Sequence, residues 1–409
     1  MNHPIQEMTI LVHPELSPPS DGAARGDLMT RAAAIAEVAA AAADAVDRDA
    51  RFPSEAFDAL RAAGMLSVML PAELGGEDAR LADIVDICYR LGQACASTSM
   101  IYAMHQSCVA CVLRHGHEDA WQRDLLRRLS SEQLLFASST TEGQAGGNVR
   151  SSAAPVEYGE SGIRLDRAAS VVSYGAEADV IVTTARRAAD AAPSDQVLVA
   201  FQRGDYTLTR SIGWDTLGMR GTCSAGFDLR ATGVAAQILP EPYERIHPQS
   251  MVPVSHLAWA GTWTGIAAGA VERARAFVRR AARESGGAMP PGAAHLAKAT
   301  AALHTLRGLI ATALRSYNQV ADDPAALMSR DFQSMITLTK VQASEMAVAI
   351  VLEAVRTCGL SGYRNDSPFS VGRHLRDVLS SPLMISNDRI LANLATTTLL
   401  TAVPTSLSA

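Results

Sequence analysis

Charge is the first thing this chain is short of. Only 19% of its 409 residues are charged, aromatics make up 5%, and the net charge is −6. No run of Lys and Arg builds a basic patch, so nucleic acid is not an expected partner. Six cysteines (Cys88, Cys95, Cys108, Cys111, Cys223, Cys358) are too few and too scattered for a disulfide framework. Cys108 and Cys111 share one face of an apolar helical run. There, two packed thiols are favoured over a redox pair, and a reducing cytoplasm is the expected setting. Residues 1–27 lack a basic stretch followed by an apolar core. They do not read as a signal peptide, and their Pro, Ser, Gly and Asp content reads as a tail. Charges, Gly or Pro interrupt every long apolar segment, so no membrane span is expected. The histidines show no metal-ligand spacing beyond His115-x-His117, and no metal site is expected.

What is present is periodicity that changes twice. Residues 28–132 carry helical spacing, with Pro53 suited to a helix start and Gly64 to a helix stop. Residues 133–245 hold short β-branched or alternating runs such as "ADVIVTTAR" and "QVLVAFQR", separated by turn residues. Residues 246–409 return to helices of 20 to 30 residues with apolar faces. The expected architecture is an α+β multidomain chain. It has an N-terminal helical domain, a central antiparallel β-barrel-like domain and a C-terminal four-helix bundle.

Several local segments invite a functional reading. "TTEGQAGGN" (residues 140–148) is a Gly-rich loop between strands. "ASVVSYGAEAD" closes a strand with Val171 and Ser173. "LGMRGTCS" is a hairpin turn carrying Arg220 and Ser224. "EAVRTCGLSGY" ends a helix with Arg356, Gly359 and Gly362. "GRHLRDVLSSPLMISNDRI" clusters Arg373, His374, Arg376 and Asp377 ahead of a nearly uncharged run that ends at Asn387 and Asp388. Such a charged knot usually anchors a loop.

In this order, across residues 28–400, the segments resemble the acyl-CoA dehydrogenase superfamily. The resemblance implies FAD. It places Thr140, Thr141, Glu142 and Gly147 along the flavin, although Gly143, Gly147 and Asn148 depart from the family's Pro and Ser-Asp. It places Val171 under the ring, more open than the usual aromatic residue, and Ser173 near flavin N5. Gly359 and Gly362, with Arg356 where Gln is usual, would touch the FAD pyrophosphate or adenosine of a neighbouring subunit in a homotetramer or homodimer. Arg279 or Arg283 would supply a second contact, without the family's Phe-Gly. Arg220, Ser224 and His256 would lie toward the substrate, His256 standing where many members carry an Arg. The implied substrate is an acyl thioester on CoA or on a carrier protein, with an electron-transfer partner or a flavin reductase.

The catalytic base is where the resemblance fails. A carboxylate is required because the α C–H bond breaks as flavin accepts the β-hydride. The position eight residues after Asp377 is Ile385, and the alternative position on the first bundle helix is Ser255. Asp388 is a displaced candidate, with a helix N-cap as its plainer role. Two enzymatic readings follow. One is α,β-dehydrogenation of a thioester with an unusual or displaced base. The other is a two-component flavin monooxygenase, which takes reduced flavin from a reductase, hydroxylates carbon, nitrogen or sulfur, and needs no such base. A flavin-binding subunit without chemistry is the third reading. His105 reads as a core histidine with one hydrogen bond, or as a group reaching the open flavin face.

Overall fold

The computed structural model describes residues 22–142, 149–160 and 162–399. The N-terminal helices are α1 (Gly22–Arg48), α2 (Ser54–Ala62), α3 (Leu81–Ala94), α4 (Ala96–Gly116) and α5 (Ala120–Glu132). Helix α1 starts inside the segment read as tail. Pro53 precedes α2 by one residue, and Gly64 turns with φ +69°. Asp119 caps α5 by accepting from the Trp121 and Gln122 amides at 2.9 and 3.1 Å. Cys108 and Cys111 are buried in α4, and burial raises both thiol pKa values, as packed core thiols require.

The strands are β1 (Phe136–Ser139), β2 (Glu157–Gly159), β3 (Gly162–Ala169), β4 (Val180–Arg186), β5 (Gln196–Gln202), β6 (Tyr206–Ile212) and β7 (Gly226–Gly233). They form two sheets rather than one continuous barrel, ordered β1-β4-β5 and β2-β3-β7-β6. The all-antiparallel expectation also needs correction, because β1 and β4 run parallel. Every side chain of β4 up to Ala185 is buried, while β3 alternates buried and exposed. A strand buried on both faces loses the period-2 signal that identifies it.

After the short α6 (Tyr243–Ile246) come α7 (Val252–Glu284), α8 (Ala293–Val320), α9 (Pro324–Leu327), α10 (Arg330–Cys358), α11 (Leu360–Tyr363), α12 (Gly372–Val378) and α13 (Asn387–Thr398). Helices α7, α8 and α10 pack on one another, and α13 adds a shorter fourth. Among the described helices, α10 alone has the length and hydropathy to cross a bilayer, yet it is packed against α7 and α8.

Helix α7 also binds the N-terminal domain. Gly261, Gly265 and Gly269 form a ridge without side chains, against which α3 lies. A Cβ at Gly261 would sit 2.8 Å from the Val85 carbonyl, and one at Gly269 2.8 Å from the Gln93 carbonyl. Gly92 on α3 is the reciprocal notch, where a Cβ would lie 2.5 Å from the Thr262 carbonyl. The i, i+4 spacing of glycines thus lets two backbones approach closely.

Candidate functional site

The charged knot on α12 anchors two other domains. Arg376 pairs with Asp47 at 2.5 Å and Arg373 with Asp44 at 3.1 Å, both acids lying on α1. Asp377 accepts from the Met219 amide at 2.7 Å, which fixes the turn after β6 onto α12. Burial raises the Asp377 carboxyl to about 6, against the lowering pull of that amide. Gly218 makes the docking possible, since a Cβ there would overlap the Arg376 carbonyl. Arg220, expected toward the substrate, spends its guanidinium on the Asp47 carbonyl (2.8 Å), Asp215 (3.1 Å) and the Thr216 carbonyl (3.0 Å). It clamps the turn to α1.

The same turn pairs with the strand end carrying Ser173. The Val172 amide donates to the Ala225 carbonyl and the Tyr174 amide to the Thr222 carbonyl, each at 2.8 Å. Ser173 Oγ lies 2.8 Å from Ser224 Oγ, and Ser224 Oγ lies 2.8 Å from Thr222 Oγ1. Two residues that the sequence assigned to cofactor and substrate are therefore immediate neighbours. Tyr174 (φ +42°), Met219 (+53°) and Cys223 (+47°) all occupy left-handed backbone without being glycine. Such strain persists where surrounding structure holds it, and it clusters at functional sites. Beside Ser173, Val171 is 41% exposed, an apolar side chain turned outward next to a line of hydroxyls. An exposed apolar side chain next to hydroxyls suits contact with an aromatic ring system that carries polar atoms on one side.

Glu142 has a different task from its neighbours. Its carboxylate takes bonds from Ser152 Oγ (3.0 Å), the Ala153 amide (2.6 Å) and Arg167 (2.7 Å). Arg167 is fully buried, also donates to the Thr184 carbonyl, and is brought down to about 10 by burial. Glu142 therefore anchors the loop between the sheets, and Thr140 and Thr141 stay half-buried before it. Gly147 lies outside the described residues.

The bundle side holds a buried ladder on α7. His256 stacks near Trp259 (5.6 Å), and Trp259 near Trp263 (6.4 Å). His256 is a neutral core group. Burial, followed by the nearby Lys340 charge, pulls its pKa to about 3. Its Nδ1 and both indole nitrogens have no partner among the described residues. Lys340, inside α10, is the residue the sequence reading missed. A lone cation within the apolar run "MITLTKVQA" was its signal. It lies over the Trp263 ring at 5.5 Å and donates to Asn387 Oδ1 (2.7 Å) and to the Ser381 and Ile385 carbonyls (3.3 and 3.4 Å). Burial lowers its pKa to about 8.

Lys340 thus stands at one of the two places where a base was expected. Ile385 has φ +49° and a partly exposed side chain, and its carbonyl is held by the lysine. Ser255 is buried and bonded to the Met251 carbonyl of its own helix turn. Asp388 is exposed in the first turn of α13. A Lys340→Met variant is expected to keep its melting temperature within a few degrees, because a buried cation bonded to carbonyls and an amide oxygen contributes little net stability. Amide exchange of residues 381–387 should rise about tenfold or more, since their anchor is gone.

At the far end of α10, Gly359 turns with φ +54°, and a Cβ at Gly362 would lie 2.6 Å from that of Cys358. Arg356 pairs with Glu353 at 2.5 Å, and His295 reaches the same carboxylate at 2.6 Å. Arg283 is exposed in the last turn of α7. A cleft of about 260 Å³ beside this turn is lined by Phe277, Arg280, Glu284, Ser361 and Phe369. No cluster of metal-ligating side chains occurs among the described residues.

A helical domain, a small β domain docked through a strained turn, and a helical bundle define an acyl-CoA dehydrogenase-type flavoprotein architecture. The chain belongs to the acyl-CoA dehydrogenase superfamily. Residues 27–133 match the family's N-terminal domain and residues 249–395 its C-terminal domain. It is 25% identical over 351 residues to the amino sugar nitrososynthase DnmZ of Streptomyces peucetius, covering 83% of this chain and 84% of that one. It is 24% identical over 368 residues to cyclohex-1-ene-1-carbonyl-CoA dehydrogenase of Geobacter metallireducens, covering 88% and 93%. The FMN-bound structure of TdsC from Paenibacillus sp. A11-2 superposes with a TM-score of 0.81 at 17% identity, over 92% of this chain and 98% of that one.

Proposed function

We propose that this chain is a two-component flavin-dependent monooxygenase, which uses reduced flavin from a partner reductase to oxygenate a small molecule at nitrogen, carbon or sulfur. The observation that carries the reading is the missing base. At the two positions where the family's dehydrogenases hold a glutamate stand Ile385, with its carbonyl held by Lys340, and Ser255, bonded to its own helix. Without a carboxylate at either position, removal of a thioester α-proton has no agent where the family's dehydrogenases hold theirs. Similarity to a nitrososynthase along most of the chain supports nitrogen as the atom oxidised.

The residues around Ser173 fit a flavin. Val171 offers an apolar face, and Ser173, Ser224 and Thr222 a polar edge. When bound, the flavin supplies the electrons and the oxygen activation. The chain's own part is to present that face, to hold the polar edge through the Met219–Asp377 bond, and to keep water from the buried α7 ladder. FMN is favoured over the expected FAD. Arg356, the cation placed to meet a pyrophosphate, is already paired with Glu353. A CoA grip is likewise weak, because His256 is neutral and Arg220 is committed elsewhere.

Thioester dehydrogenation is the second reading, favoured by the similarity to a CoA dehydrogenase over 88% of this chain. Anaerobic titration separates the two. A monooxygenase should bind reduced FMN more tightly than oxidised FMN, consume oxygen only with a reductase, and show no bleaching of its flavin band with acyl thioesters. Bleaching by a thioester without oxygen would overturn the proposal in favour of the dehydrogenase.

A further inference from the structure

We infer that Thr222 and Ser224 form a one-way chain of hydroxyl protons that leaves the Ser173 hydroxyl able only to accept a hydrogen bond at the flavin, so that this wall selects the reduced cofactor. The inference rests on the flavin reading given above and assigns positioning roles to two residues that do not themselves touch the ring.

The direction follows from counting protons. The Met219 carbonyl can only accept, and Thr222 Oγ1 lies 2.8 Å from it. A hydroxyl has one proton to give. Thr222 spends its proton on that carbonyl, so the 2.8 Å contact between Thr222 and Ser224 must be donated by Ser224. Ser224 then has none left, and its 2.8 Å contact with Ser173 must be donated by Ser173. Thr222 and Ser224 are both buried, so no bulk water competes for these protons. Ser173 is half-buried and is the end of the chain nearest solvent, beside the exposed Val171. What it has left to offer outward is a lone pair.

The far end of the chain is fixed. The Met219 amide is held by the Asp377 carboxylate at 2.7 Å, and Trp214 Nε1 donates to the Met219 carbonyl at 3.1 Å. Left-handed backbone at Tyr174, Met219 and Cys223 brackets all three hydroxyls. Strain of this kind is retained where it sets a geometry. Oxidised flavin presents a lone pair at N5 and needs a donor, whereas reduced flavin presents N5–H and needs an acceptor. An acceptor-only Ser173 bonds the second and faces the first lone pair to lone pair. One such hydrogen bond corresponds to about a three- to tenfold difference in Kd between the two redox forms.

The test is anaerobic equilibrium titration of the full chain with reduced and with oxidised FMN, read as the ratio of the two Kd values; turnover is not needed. Thr222→Val removes the acceptor for Ser224, which can then donate back to Ser173 and turn the Ser173 proton outward. Ser224→Ala frees that proton directly. Both variants should lower the wild-type preference for reduced FMN by about three- to tenfold, whereas Thr222→Ser keeps the hydroxyl and should keep the preference. Thermal unfolding of each variant identifies those that fold, and Ser224→Ala carries the test if Thr222→Val does not. A wild-type preference for reduced FMN that survives in a folded Ser224→Ala variant overturns the proton chain alone. A wild-type protein that binds oxidised FMN as tightly as reduced FMN overturns the monooxygenase reading, and the proton chain with it.

Discussion

Replacing Gly218 with valine is expected to destabilise the chain by about 3 kcal/mol and to abolish flavin binding. The first added carbon would overlap the Arg376 carbonyl and lie 2.6 Å from the Asp377 nitrogen. Both are backbone atoms of α12, so no side chain can rotate out of the way. Overpacking of this kind costs about 1–3 kcal/mol where side chains can yield and more where they cannot. The turn would lift from α12, the Met219–Asp377 bond would break, and the buried Asp377 would lose the hydrogen bond it accepts from that amide. Ser224 and Thr222 would move with the turn. Denaturant unfolding and anaerobic FMN titration measure the two effects. Gly213→Val is the matched comparison, because a Cβ at Gly213 meets nothing within 4 Å. That variant should stay within about 0.5 kcal/mol of wild type.

Acid should unfold this chain by about pH 5. Five histidines are held in neutral form by burial. Burial holds His105 and His247 to about 4 and His256 to about 3, and it keeps His115 below and His374 well below the ordinary value of 6.5. The His105 tautomer is fixed by its bonds. Nδ1 accepts from the Phe136 amide at 3.0 Å, so Nε2 donates to the Leu66 carbonyl at 2.8 Å. Protonation would break the first bond, which joins α4 to β1. A histidine whose folded pKa is depressed contributes stability above its unfolded pKa, and that contribution is lost as pH falls. From pH 8 to pH 5 His105, His247 and His256 each cost about 2 kcal/mol, because the unfolded chain takes up the proton and the folded chain does not. Asp377 opposes them. Its folded pKa of about 6 lies above the ordinary carboxylate value, so it contributes stability below that pH. It returns about 1 kcal/mol over the same interval. The net loss of about 5 kcal/mol is comparable to the whole stability of many domains. Denaturant midpoints at pH 8, 6 and 5 test this, and His256→Phe should flatten the profile by about 2 kcal/mol. A midpoint unchanged across that range would contradict it.

The fold order was legible because long helices advertise their apolar stripe at every turn, as α7, α8 and α10 do, and because short alternating runs such as "IRLDRAA" mark strands. Strand partnership was not legible. Pairing of β1 with β4 joins Phe136 to Val180 in parallel, and no local feature of either segment encodes direction. The knot at 373–377 could be read as an anchor, but its partners Asp44 and Asp47 lie 329 residues before their arginines. Motif matching placed Glu142 along the cofactor, while its buried partner Arg167, one of many exposed-looking strand residues in sequence, gives it a structural task. Lys340 was hidden for the opposite reason. A single cation in an apolar helix looks like solvated surface until the fold places Trp263 and the Ile385 carbonyl around it.

Oxygen chemistry at a flavin leaks peroxide, and peroxide attacks thiolates rather than thiols. Five of the six cysteines here are buried and the sixth, Cys223, is half-buried, and burial raises all six thiol pKa values. A catalyst that made hydroxylating oxygen species within this scaffold would therefore offer leaked peroxide almost no thiolate to attack.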